Sequence, residues 1–326
     1  MTDLGIDSHD PVGLPPVAAS SSYELDVVSD AADWSRLLAV LPTPHLPQSF
    51  AYGVAKAAKG WMPVRVLVSD WGVPVAMATV LEKRMGPLRL LSRINRGPLF
   101  FEQTPSENSI VETYGLIRRR FRGPLIVATA LTSDDLATRL LPRAGYHRIR
   151  AQGWASGRID LRRSEDALWA GLASTFRNRV RQSEKKGARV RVAQDAQSYA
   201  WMIERHLENM REKGFSAADA TMLLALRDAA PQDVTVFQLL DGDRPVAGMS
   251  VVRFGHAAEY HIGWFGENGR KLNAGNALMW AIIRELKQKG VEWFDVGGMR
   301  EGDGYTQFKR TMRPREYSLA GEWGTL

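Results

Sequence analysis

The chain contains no cysteine. That excludes disulfides, thiolate metal ligands and a cysteine nucleophile together, and it fits a cytoplasmic protein. Its six histidines show no metal-ligand spacing, so no metal site is expected. No P-loop, dinucleotide fingerprint or serine-hydrolase elbow occurs, which removes the commonest nucleotide-binding and serine-nucleophile chemistries. No apolar run approaches the roughly 18 residues that a membrane-spanning helix needs. The first residues, Met1 to Asp7, are acidic and without an apolar core, unlike a signal peptide.

What is present describes a globular protein. Of 326 residues, 44% are hydrophobic and 24% charged, a length sufficient for two domains with separate cores. The net charge of +7 points to an anionic partner, whether nucleic acid, phosphorylated substrate or anionic membrane surface. Simple solubility accounts for it equally well. Residues 1–22, rich in Pro, Ser and Asp, read as a disordered leader.

Periodicity beyond that leader alternates between strands and helices. A strand is expected over 23–29, helices over 30–41 and 48–59, and a hairpin over 63–69 and 73–80. A strand at 88–94, a helix at 106–121 and a strand at 124–128 follow. Helices then fit 164–173, 174–186, 195–213 and 216–229. A second hairpin occupies 233–240 and 244–251, before a strand at 257–265, a polar loop, a helix at 274–289 and a strand at 293–296. Pro74-Val75-Ala76 recurs as Pro245-Val246-Ala247, each time after an Asp/Gly turn and before a small-residue strand. The shared order implies a duplicated α/β domain with its boundary at residues 160–165.

The most informative stretch runs from Phe294-Asp295-Val296-Gly297-Gly298 through Gly302 and Gly304 to Tyr305-Thr306-Gln307-Phe308-Lys309. A strand that stops at a glycine pair allows close approach of backbone to a ligand, with N–H groups turned inward. A lysine beyond it supplies positive charge where a reaction develops negative charge. A strand end with a surface turn would explain the glycines alone, and a solvated terminal helix the lysine. Arg177, Arg181 and Lys185 fall four residues apart on one helical face, suited to phosphate or carboxylate, with a solvated face as the alternative. Arg118-Arg119-Arg120 with Arg122 point around a helix rather than along one face, and there the solvated-surface reading wins over tRNA binding. Tyr260 alternates with His261 on a strand facing a groove between the two copies, which Lys309 is expected to overlook.

In detail the chain resembles the Fem-type aminoacyl transferases, within the wider FemAB-like or GNAT-like acyltransferases. Gln48, Tyr52, Lys56 and Trp61 carry the resemblance first, then Arg96-Gly97-Pro98-Leu99 and the basic helix from Arg177 to Gly187. Phe294 to Gly298 and Phe308-Lys309 complete it. The long helical arm of some Fem members has no room, Glu102 represents a family acidic position only loosely, and 270–277 is a degenerate copy of the CoA pyrophosphate turn.

The resemblance implies an α/β fold of two tandem GNAT-like domains, residues 23–162 and 163–326, with mixed, mostly antiparallel sheets flanked by helices. It implies an N-acyltransferase with no permanently bound cofactor. Aminoacyl-tRNA would be the co-substrate, and the acceptor a small-molecule or lipid-linked amine such as a peptidoglycan precursor. Lys309, with Phe308 and Asp295, would be catalytic. The base would be water, the substrate itself or Asp295, and pinning the glycine loop is the better role for Asp295. Lys56, Tyr52, Arg177, Arg181, Tyr260, Gly297 and Gly298 would bind substrate, with Lys56 and one of the arginines on acceptor phosphates. The location would be the cytoplasm, with peripheral contact at the inner membrane face. Two rivals keep their place: an acyl-CoA-dependent N-acetyltransferase on the same fold, and a non-catalytic nucleic-acid or anion-binding module.

Overall fold

The computed structural model describes residues 22–325. The expected leader lies outside the described residues except for Ser22. Among the described residues, no helix is long and apolar enough to cross a membrane.

The first half begins with β1 (Tyr23–Val27), α1 (Ala31–Val40) and α2 (Phe50–Ala57). The long meander β2 (Met62–Asp70), β3 (Val73–Met85) and β4 (Leu88–Asn95) follows, with the short β5 (Leu99–Phe100). Next come α3 (Glu107–Arg120), β6 (Leu125–Ala128), α4 (Asp134–Leu140) and β7 (His147–Arg150). The chain then enters β8 (Ala155–Asp160), α5 (Glu165–Gly171), α6 (Ser174–Lys185), β9 (Arg189–Ala193), α7 (Ala196–Lys213) and α8 (Ala220–Ala229). A second meander, β10 (Val234–Asp241), β11 (Arg244–Phe254) and β12 (Ala257–Phe265), precedes α9 (Glu267–Lys271), α10 (Ala274–Gln288) and β13 (Trp293–Asp295). The chain ends with α11 (Gly304–Arg310), β14 (Arg315–Ser318) and β15 (Glu322–Thr325).

Side-chain caps fix where most helices begin. Asp30, Ser49, Ser106, Ser164, Asp195 and Asp219 each accept a hydrogen bond from the backbone N–H three residues on. A cap of this kind stabilises a helix by about 1 kcal/mol. Asp219 explains why α8 starts at Ala220 rather than near 216.

The strands form two sheets ordered β1-β2-β3-β4-β6-β15-β7, with β5 beside β3, and β14-β8-β13-β12-β11-β10-β9. Each is antiparallel except for one parallel pair, β4 with β6 and β12 with β13. The pairs occupy equivalent places after each meander, as a duplicated domain requires. The strands cross the expected boundary at residues 162 and 163 in both directions. β8 joins the second sheet, and β15 returns from the chain end to lie between β6 and β7 of the first. An antiparallel partner can come from anywhere along the chain, so local periodicity carries no trace of this exchange.

Each half has its own core, and a third cluster belongs to both. Trp34, Leu38, Met77 and Leu99 from the first half pack with Tyr199, Met202, Val252 and Ile262 from the second. The two halves are therefore joined by apolar burial, which is non-directional and scales with area.

Candidate active site

The site is built where β12 and β13 part. They pair in parallel only through Ala257/Trp293, Ala258/Phe294 and Glu259/Asp295. β13 then ends while β12 continues to Phe265. The register between β11 and β12 also slips there, with Ser250 opposite Ile262 and Val251 opposite Tyr260. His261 is the extra residue, so the simple alternation expected of Tyr260 and His261 is broken by a bulge.

Beyond Asp295 the chain turns at Gly297, whose φ of +76° favours glycine,. A Cβ there would stand 3.0 Å from Tyr260 and 3.5 Å from the Lys309 ammonium. Asp295 is fully engaged in holding this turn. One carboxylate oxygen accepts from the Gly297 N–H at 2.9 Å and from the Ser156 hydroxyl. The other accepts from the Tyr317 hydroxyl at 2.6 Å, with Arg158 at 3.6 Å. Those contacts tie the Gly297 turn to β8 and β14.

Lys309 comes from α11 into the gap. The expectation that it overlooks an open groove is not met, because the residue is only 2% exposed. Its Nζ donates to the Gly298 carbonyl at 2.7 Å. It also lies 4.9 Å from the Tyr305 ring centre and 5.3 Å from that of Tyr260, within cation–π range. Burial pulls its pKa down to about 8, against the opposing pull of Asp295, Asp303 and Glu259. The Tyr305 hydroxyl donates to that of Tyr260 at 2.9 Å, and burial raises the Tyr260 pKa to about 12. Phe308 points elsewhere. Its ring stacks on Phe176 at 6.1 Å and would meet a Cβ at Gly275 at 3.3 Å, so it fastens α11 to α6 and α10.

A buried ion pair closes the site from the first half. Arg96, just past β4 with φ of +50°, donates both arms to Glu259 at 2.7 and 3.1 Å. Its guanidinium lies 4.3 Å from the Trp154 ring centre, and Trp154 in turn covers Gly298. Glu259 faces Asp295 in register, so Arg96 links the first sheet to the parting point of the second. Tyr52 and Lys56 sit on α2 with Nζ 5.5 Å from the Tyr52 ring centre. Burial raises the Tyr52 pKa, under the fields of Arg96 and Glu259. Burial likewise lowers that of Lys56, with Arg93 adding to the effect.

Arg177 and Arg181 do not join this group. Arg177 donates to the carbonyls of Ala170, at 3.0 Å, and Leu172. Arg181 lies over Trp169 at 5.5 Å. Both are held against α5, and no contact takes either to Lys56 or α2, so the shared phosphate grip is not assembled. The reason is tertiary: the spacing that aligned them on one face of α6 aimed that face at the α5 carbonyls.

Sequence reasoning missed Glu259, Trp154, Ser156, Tyr305 and Tyr317. Tyr305 had a legible signal, since it stands four residues before Lys309 on one helix face. The others reach the site only through sheet pairing. A cleft of about 1060 Å³ between the halves is lined by His45, Phe100, Trp293, Arg315 and, behind Asp295, Arg158 and Tyr317. Lys309 does not line it. Among the described residues, no group of three or more His, Asp or Glu side chains could hold a metal.

The acetyltransferase (GNAT) domain family matches residues 173–310, the segment that carries α6 to α11. The chain's fold is that of the tandem GNAT and Fem-like structures that superpose on it. The crystal structure of FemX superposes with a TM-score of 0.76 at 14% identity, over 93% of this chain and 97% of that one. A tandem GNAT protein from the clavulanic acid biosynthesis pathway gives 0.51 at 12% identity, over 93% and 98%. L-PGS from Bacillus licheniformis gives 0.51 at 14%, over 81% and 83%. No curated protein matches the sequence.

Proposed function

We propose that the protein is an N-acyltransferase that moves an aminoacyl group from aminoacyl-tRNA to an amine. The observation that carries the chemistry is the ammonium of Lys309, held at the parting of β12 and β13 with its pKa near 8. The amine nitrogen attacks the ester carbonyl, a C–N bond forms, and the tetrahedral oxyanion collapses with loss of the ribose oxygen. One ammonium N–H bonds Gly298. The others face the rings of Tyr260 and Tyr305 and would turn to the oxyanion, the stage at which such a charge lowers the barrier. A lysine of this acidity also hands a proton to the departing oxygen readily at neutral pH. The proton lost by the amine passes to solvent.

The donor assignment rests on α10. A CoA pyrophosphate needs the open N-terminus of the helix after the central strand. Here that end is crowded. Phe308 lies over Gly275, Asn273 bonds Gln182 at 3.3 Å, and Lys186 donates to the Lys271 carbonyl at 2.7 Å. The matching acetyltransferase family favours acyl-CoA as the second reading. Lys56 and Tyr52 would receive the acceptor.

The test incubates the protein with mixed charged tRNA or acetyl-CoA and candidate amines, with and without RNase. RNase-sensitive product supports aminoacyl transfer. CoA-dependent product supports the second reading, and salt-sensitive binding without product identifies an anion-binding module.

A further inference from the structure

We infer that the β3–β4 hairpin is a docking surface for an anionic lipid bilayer. Its tip, Met85-Gly86-Pro87-Leu88, carries side chains that no core uses. Met85 is 65% exposed, Leu88 57% and Leu90 44%. A solvent-facing turn needs no apolar residue, and clustered exposure of this kind marks an interaction site. Cations surround the tip. Arg84 and Arg89 share the single buried carboxylate of Glu82, at 2.8 and 3.1 Å. Arg89 also donates to the Arg122 carbonyl, which brings the end of α3 alongside. Arg120 and Arg122 are exposed, and Arg120 stacks on the buried Phe121 at 5.5 Å.

Apolar side chains at the apex with arginines behind them match the layering of an anionic bilayer, acyl chains inside and negative headgroups at the rim. RNA fits less well, because it needs the charges but has no use for aliphatic side chains, and base stacking would require exposed aromatic rings. The surface also adjoins α2. Lys83 donates to the carbonyls of Lys59 and Gly60 at 3.3 and 3.1 Å, one turn beyond Lys56. A bilayer at the hairpin would therefore lie on the Lys56 side of the molecule. Binding itself is independent of the chemistry proposed for Lys309.

The experiment is co-sedimentation of the full chain with vesicles of phosphatidylcholine alone or with about a third phosphatidylglycerol. Binding is expected only to the anionic vesicles and is expected to weaken with salt. Arg120→Ser with Arg122→Ser should weaken it about thirtyfold, and Met85→Ser with Leu88→Ser tenfold or more. All four positions are exposed, so unfolding midpoints should stay unchanged. The inference is overturned by absent binding or by equal binding to both vesicles. It is also overturned if the Met85/Leu88 variant binds normally while tRNA competes, a result that assigns the arginines to RNA.

Discussion

Lys309→Met removes the charge while keeping most of the side-chain volume, and its effects on turnover and stability should run in opposite directions. The ammonium titrates at about 8 in the folded protein against an ordinary 10.5. Between those values the unfolded chain binds a proton that the folded chain does not, so this lysine makes stability rise with pH there. The slope is about 1.4 kcal/mol per pH unit. From pH 8 to pH 9.5 the wild type should gain roughly 2 kcal/mol relative to Lys309→Met, which has no such group. Comparing the two proteins cancels the other titrating residues. Urea unfolding at pH 7, 8 and 9.5 measures the difference. Turnover at pH 7 with the donor that gives product should meanwhile fall a hundredfold or more, the scale for loss of an oxyanion partner. A difference in stability that stays flat with pH would show that the ammonium is not desolvated. Unchanged turnover would remove Lys309 from the reaction.

The same group sets the pH profile. Turnover should decline as pH rises through about 8 and Lys309 loses its proton. Asp295→Asn, which deletes a carboxylate that raises this pKa, should move the decline to lower pH in a pH–rate measurement. Glu259→Gln leaves the Arg96 guanidinium buried without its anion and should cost about 3–5 kcal/mol in denaturant unfolding; a cost under about 1 kcal/mol would mean that water reaches the pair. Gly297→Ala forces a side chain onto φ of +76° and against Tyr260. It should lower stability by about 1–2 kcal/mol and turnover by more than tenfold, read by thermal melting and initial rates.

The sequence by itself determined the local elements and the duplication. Helix starts expected at 30, 106 and 195 lie one residue from those at Ala31, Glu107 and Ala196, alternating small and branched residues drew both meanders, and the repeated Pro-Val-Ala marked equivalent strands. It also picked out the Asp295–Gly298 turn and Lys309, because glycine beside a charged residue is a local signal. Only the tertiary structure decided that β8 and β15 trade places between the halves. It alone set Arg96 on Glu259, turned Arg177 toward carbonyls of α5, and buried Lys309 under two tyrosines. Pairing across a sheet and burial between helices depend on residues far apart in the chain, and no period or spacing along one segment records which distant partner it will meet.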